Sequence, residues 1–237
     1  MSVLYVIATP LGNLGDITLR AIQTLQEVDL VAAEDTRHSL GLLNHLHIKK
    51  PLLSCRSQNE QTAAEKVIQE LQAGHQVAYI TDAGTPGISD PGTRLVQRVR
   101  EAGYRIIPIP GPSAITTLAS VAGLPGKRLI FDGFLSPKPG KRKKQLKELL
   151  EQGENCIVYE SPFRIVKLLK DARDLDPSRP VVIGRELTKA HEEILTGTVH
   201  EVLEILEQRA TIKGEIAVMF GKLGDLDIED SVLEETP

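Results

Sequence analysis

Apolar positions along this chain fall into short runs whose spacing switches between two periods. "SVLYVIAT" is a run of β-formers with the near-continuous apolar character of a strand covered on both faces. The turn "PLGNLGD" follows, and then "ITLRAIQTLQEV", in which Ile17, Ala21, Ile22 and Leu25 share one face at helical spacing. Strand, glycine turn and helix make the opening unit of a parallel sheet. The alternation continues: "LVAAED" and "PLLSC" predict strands two and three, and "NEQTAAEKVIQELQAG" predicts a helix stopped at Gly74. "QVAYIT" is a fourth strand, "TRLVQRVREAG" a helix stopped by Gly103, "YRIIPIP" a fifth strand and "SAITTLASVAG" a helix again.

The rhythm changes at "GLPGKR", which predicts a domain boundary near residues 122–127. Beyond it come the strands "LIFDGFL", "NCIVYE", "RPVVIGREL", "EEILTGTV" and "GEIAVMFG", with a basic helix from Lys141, the helix "SPFRIVKLLKDA" and the helix "HEVLEILEQR". "VVIGREL" and "EEILTGTV" lie too close in sequence for a crossover helix, so they are expected to pair antiparallel. The expectation is an α/β protein of two domains. Residues 1–122 would hold a mostly parallel sheet with helices on both faces, residues 123–223 a mixed sheet, and the acidic stretch 224–237 would be disordered.

Composition narrows the picture. Aromatics are 3% of the chain, so the core is aliphatic, as suits strands covered by helices. Cys55 and Cys156 are the only cysteines, and no Cys/His cluster has metal-ligand spacing. A reducing cytoplasm and no metal are expected. No apolar run approaches the roughly 20 residues of a membrane span, and the N-terminus lacks the basic flank of a signal peptide. The net charge of −4 is an average of unlike parts: the last fourteen residues hold six acids and no bases, which leaves the rest at +2. From Lys127 to Lys147 there are eight Lys/Arg against one acid, Asp132.

Ligands of an open parallel sheet bind beyond the carboxyl ends of its strands. The loops expected there are "TPLGNLGD", "EDTRHS", "TDAGTPGISDPG" and "PGPSA", three of them rich in Gly and Pro. Such loops either turn the chain or are shaped around a ligand. No GxxxxGK[ST] or GxGxxG occurs, so a phosphate cradle is not indicated. Asp82, directly after the fourth strand, either caps a turn or meets a cationic ligand group; Asp90 is expected to cap the next helix.

As a set, "LYVIATPLGNLGDITLRA", "AAEDTRHS", "YITDAGTPGISDPG", "PIPGPSAITTL", "FDGFLSPKPGKR", "YESPFR" and "RELTKAHEEILTG" resemble the tetrapyrrole methylase superfamily. Within it the chain is similar to the bacterial branch that methylates a cytidine 2′-hydroxyl of 16S ribosomal RNA. The resemblance spans residues 4 to 221 and implies S-adenosyl-methionine held in a cleft between two α/β domains of a homodimer. By motif, the cofactor positions fall on Pro10, on Asp82, Ala83, Gly84, Thr85 and Ile88, on Ser113 and Ala114, and in the second domain on Glu160 and Leu187. Many relatives carry Gly-Asp-Pro where this chain has Gly84-Thr85-Pro86, a departure that points away from tetrapyrrole substrates.

Methyl transfer to a ribose hydroxyl is an in-line displacement that needs positioning and an outlet for the hydroxyl proton. "RELTKAHEE" offers Lys189 and Glu186 for that proton, or is an exposed charged hairpin; "EDTRHS" offers Arg37, a catalytic candidate beside them and a phosphate holder, or is a capping box around Thr36; "YESPFR" offers Arg164 as a phosphate holder, or an ordinary helix start. Lys138, Lys141, Arg142, Lys143 and Lys144 form a basic segment suited to RNA phosphates, and its position at a helix start opposes the helix dipole. Three functions stay open: an RNA ribose methyltransferase acting on 16S ribosomal RNA or the small ribosomal subunit, a tetrapyrrole C-methyltransferase, and a non-enzymatic RNA-binding module.

Overall fold

The computed structural model describes residues 2–222. Strands β1 (Val3–Ile7), β2 (Leu30–Ala33), β3 (Leu52–Ser54), β4 (Val77–Ile80) and β5 (Arg105–Ile109) form one sheet in the order β3-β2-β4-β1-β5, every pair parallel. Helices α1 (Leu19–Glu27), α2 (Thr36–His45), α3 (Glu60–Gln72), α4 (Thr93–Glu101) and α5 (Ala114–Ala122) connect them and lead on. Val67, Ile68 and Leu71 of α3 pack with Leu95 and Val99 of α4 on one sheet face. Ala21 and Leu25 of α1 with Leu43 of α2 cover the other. The connection β1 to β2 passes over β4 in one direction, and β4 to β5 passes over β1 in the opposite one. The strand order therefore reverses between β1 and β4, where a crevice opens at the carboxyl ends.

The second sheet holds β6 (Leu129–Phe134), β7 (Asn155–Glu160), β8 (Pro180–Arg185), β9 (Glu193–Thr198) and β10 (Ile216–Phe220) in the order β6-β7-β10-β8-β9. It is mixed: β6 and β7 are parallel, the other pairs antiparallel, including β8 with β9 as their spacing predicts. Helices α6 (Pro139–Leu150), α7 (Ile165–Leu175) and α8 (Val199–Glu207) bury Leu146, Leu168 and Leu203 against one face. The opposite face is covered by α5, whose Leu118 and Ala122 meet Ile157, Val182 and Met219. A helix that leaves the first sheet thus closes the second. No helix among the described residues is long and apolar enough to cross a membrane.

One expectation fails locally. "EDTRHS" is not a loop: Asp35 caps α2 by accepting the Arg37 N–H at 2.8 Å, and Ser39, Leu42 and Leu43 are buried along the helix. Gly41 in mid-helix and the polar first turn disguise this element in the sequence. The stretch 224–237, expected to be disordered, lies outside the described residues.

Candidate active site

The glycine-rich loops at the carboxyl ends of the first sheet are stitched to one another. Thr9 and Gly84 exchange backbone hydrogen bonds of 2.9 and 3.0 Å, an isolated antiparallel bridge between the loops after β1 and β4. Gly84 sits at φ 78°, and a Cβ there would lie 3.2 Å from the Leu11 side chain, so glycine is what lets the two loops close. Thr85 donates its hydroxyl to the Pro112 carbonyl at 3.0 Å, which ties in the loop after β5. The residue that departs from the Gly-Asp-Pro pattern is therefore a loop fastener as well as a wall.

These loops and the edge of the second sheet enclose a cavity of about 470 Å³, within the usual range for small-molecule sites. Asp82, Ala83, Gly84, Thr85 and Ile88 line it from the loop after β4, and Ser113 and Ala114 from the start of α5. Glu160 at the end of β7 and Leu187 after β8 line it from the second sheet. Of the cofactor positions expected from sequence, Pro10 alone is absent from the lining: it is buried, and its neighbour Leu11 stands in the wall instead.

The wall holds five carboxylates, Glu34, Asp82, Asp90, Glu160 and Glu215, and no Lys, Arg or His. Glu34 accepts the Asp82 N–H at 3.3 Å, and Asp82 accepts the Asp35 N–H at 3.1 Å. Burial holds the Glu34 carboxyl above its ordinary range, against the pull of that hydrogen bond. Glu160 is 2% exposed; one oxygen takes the Ser161 N–H at 2.7 Å and the Arg164 guanidinium at 2.6 Å, while the other, Oε2, has no partner among the described residues. Asp90 also lines the cavity. Burial, then the charges of Glu34, Asp82 and Glu215, push its carboxyl up to about 7.

Asp90 is not the helix cap expected from sequence. The N-cap of α4 is Gly92, and the amides of Gly92, Arg94 and Leu95 all donate to Glu60 Oε1, at 2.9, 2.8 and 3.1 Å. Glu60 comes from the start of α3, a long-range cap that no local spacing announces. Asp90 is freed from structural duty, and among the described residues its carboxylate has no hydrogen bond or ion pair.

The residues expected to handle the hydroxyl proton are also placed differently. Lys189 and Glu186 are outside the cavity lining. Lys189 Nζ lies 2.8 Å from both Glu186 Oε1 and Glu215 Oε2, which raises its pKa although burial opposes this. Glu186 is held below its ordinary range by Lys189 first and by the Glu215 N–H second. A proton acceptor needs a pKa near the working pH; Lys189 is held as an ammonium, and Glu186, held below its ordinary range, is a weak base. The pair is a clasp between chain segments. A Cβ at Gly12 would collide with the Lys189 side chain, and one at Gly214, at φ 94°, with that of Glu186. Arg37 is exposed on the first turn of α2 and is likewise outside the lining. Arg164 is engaged with Glu160.

The family model of tetrapyrrole (corrin/porphyrin) methylases matches residues 3–203. The chain belongs to this family. It is also 44% identical to the ribosomal RNA small subunit methyltransferase I of Haemophilus influenzae over 92% of this chain and 77% of that one. The protein of the same name from Thermotoga maritima is 42% identical over 92% and 98% of the two chains. Among solved structures, a cobalt precorrin-4 methyltransferase of cobalamin biosynthesis superposes with a TM-score of 0.70 at 19% identity, covering 92% and 94%. The uroporphyrin-III C-methyltransferase of Thermus thermophilus, in complex with S-adenosyl homocysteine, gives 0.64 at 19%, covering 92% and 97%. Both share the fold.

The basic segment is less uniform than its sequence suggests. Arg142 is 3% exposed and bonded to Asp171 at 2.7 Å, so it is a strut between α6 and α7 and not a phosphate contact. Lys143 pairs with Asp174 at 2.8 Å and Lys144 with Glu148 at 3.7 Å. Lys138, at the N-cap of α6, and Lys141 are exposed with no ion pair among the described residues. The spacing shows five bases; the fold leaves two of them unengaged.

Proposed function

We propose that the protein transfers a methyl group from S-adenosyl-methionine to the ribose 2′-hydroxyl of a cytidine in 16S ribosomal RNA. The observation that carries this reading is the acid-walled cavity at the strand-order reversal, with the buried Glu160 Oε2 left without a donor among the described residues. An unpaired buried acceptor is costly, and a ligand bearing a sulfonium, an ammonium and hydroxyl groups supplies what it lacks. When bound, S-adenosyl-methionine provides an electrophilic methyl group on a cationic sulfur. Asp82, Ala83, Gly84, Thr85, Ile88, Ser113, Ala114, Glu160 and Leu187 would hold it; Pro10 backs the first loop from within.

The chain's own contribution is positioning and charge. The stitched loops fix the wall before the ligand arrives, so little ordering entropy remains to be lost on binding. Proton removal falls to a carboxylate of the cavity wall rather than to Lys189 or Glu186, and Asp90, pushed up to about 7, is the candidate. Lys138 and Lys141 offer unpaired charge to a polyanion a few residues beyond Phe134, which lines the cavity. The family resemblance extends to a homodimer working in the cytoplasm, which sedimentation of the purified chain and cell fractionation test.

The deciding experiment incubates the protein and labelled donor with small ribosomal subunits, or their RNA, lacking the modification, and digests the product to nucleosides. Labelled 2′-O-methylcytidine is expected. Label entering a porphyrinogen instead would select tetrapyrrole chemistry, and RNA binding with no donor binding by calorimetry would leave a non-enzymatic module.

A further inference from the structure

The chain has four phenylalanines, and two of them are left in solvent beside the cavity. Phe134, the last residue of β6, lines the cavity and is 56% exposed; Phe163, next to the lining residue Pro162, is 85% exposed. Single exposed apolar residues are ordinary. What sets Phe134 apart is the backbone that presents it. Along the parallel pair, Phe131 faces Ile157 and Phe134 faces Tyr159, so three steps on β6 match two on β7. That extra residue is a bulge. In a regular strand, residues three apart point to opposite faces; here both rings meet Tyr159 edge to face, Phe131 at 4.9 Å and Phe134 at 5.7 Å between centroids. Gly133 forms the bulge at φ 62°, and a Cβ there would stand 2.9 Å from the hydroxyl of Ser89, itself at φ 63° on the cavity loop. Backbone strain and a glycine are committed to turning Phe134 toward the mouth.

We propose that Phe134, held by this bulge, and Phe163, on the turn after β7, form a stacking surface for the nucleobase whose ribose enters the cavity. The inference rests on the RNA methyltransferase reading and adds what holds the target nucleotide. A base taken out of its stack needs an apolar face to replace its neighbours, and aromatic rings accept any base. The exposed Lys138 follows Phe134 by four residues, a reach of at most about 14 Å. Cation and ring on one strand-to-helix unit match the phosphate and base of one unpaired strand. Arg164, adjacent to Phe163, is turned inward to Glu160, so the ring and not the guanidinium faces solvent on that turn.

The test uses a single-stranded RNA that carries a fluorescent cytosine analogue at the target position. With the unaltered protein, the analogue's emission changes on binding. Phe134→Ala removes most of that change and raises KM for RNA about tenfold, more than it raises KM for the donor; Phe134→Tyr restores both. Phe163→Ala, at a surface position where folding is not at stake, lowers RNA affinity severalfold and leaves donor affinity by calorimetry unchanged. Equal emission and equal KM in the Phe134→Ala/Phe163→Ala double variant overturn the proposal while leaving the methyltransferase reading intact. So does a change in sedimentation with RNA binding unaltered, which would assign the rings to a second copy of the chain. Absence of RNA binding and RNA methylation in the unaltered protein overturns the reading and the proposal together.

Discussion

Glu60 and Asp90 flank the same loop, and the fold treats them in opposite ways. Glu60 is 7% exposed and collects three amide donors on one oxygen; Asp90 lines the cavity and collects none among the described residues. Oriented amides at a helix start are the natural partner of a carboxylate, and an acid from a distant helix has taken them. The local acid is left facing three further carboxylates, Glu34, Asp82 and Glu215. The contrast teaches that a buried acid reveals its job through its donors: the structural one is saturated, and the one beside a binding site is kept short of them.

The largest effect expected from breaking this contrast is on the saturated side. Glu60→Ala leaves three amides of the α4 start without an acceptor and should cost about 3–5 kcal/mol of unfolding free energy, read from urea denaturation. Glu60→Gln keeps an acceptor oxygen and should cost less than half as much. A loss under about 1 kcal/mol for the alanine variant would mean that water replaces the cap, and the contrast would lose its meaning. Next in size is Arg142, the buried strut. Arg142→Ala strands the Asp171 carboxylate beside α6, at about 2–3 kcal/mol, while RNA affinity of the folded fraction stays within twofold.

Asp90 carries a smaller, pH-dependent effect with a definite sign. Its folded value, raised to about 7, exceeds that of an unfolded aspartate near about 3.9. Stability from its neutral form is complete below the unfolded value and is lost as pH rises through about 7. Asp90→Asn should remove that decline and make the protein more stable than the parent at pH 8, by on the order of 1–2 kcal/mol after allowance for solvent in the open cavity. Affinity for a sulfonium donor moves the other way, because the ionised carboxylate adds negative charge to the wall: it should rise from pH 5 to pH 8 in the parent and stay flatter in Asp90→Asn. Calorimetry at the two pH values checks this, and parallel pH dependences in both proteins would show that Asp90 does not set the field of the cavity.

The same division, between what is settled locally and what is settled at a distance, explains what can be read in the sequence. Strand and helix alternation is a local property, so both sheets and the antiparallel β8–β9 pair are legible from apolar spacing. The cavity loops are legible because Gly84 and its neighbours violate ordinary packing composition. Helix α2 is only half legible, since its start reads as a charged loop or as a capping box around Thr36 until the bond from the Arg37 amide to Asp35 is seen. The cap on α4, supplied from thirty-two residues away, is not legible. Lys189 and Arg142 look like free cations in sequence; only the fold shows that Glu186, Glu215 and Asp171 have claimed them.

Lys138 and Lys141 give the smallest and most selective test, since neither is tied to an acid among the described residues. A surface lysine contributes little to stability, so Lys138→Gln/Lys141→Gln should unfold within about 0.5 kcal/mol of the parent. Its effect belongs to long-range attraction. Each lost phosphate contact on a single strand lowers the slope of log affinity against log salt by about 0.7, so the double variant should show a slope shallower by about 1.4. The weakening should be greatest at low salt and nearly uniform across RNA sequences, because phosphates carry no sequence information. Arg142 is the internal control on the same helix: a variant there should change the melting curve and leave the salt slope as it was. Were the slope to change for Arg142 and not for the two lysines, the division of α6 into an exposed electrostatic edge and a buried strut would be reversed.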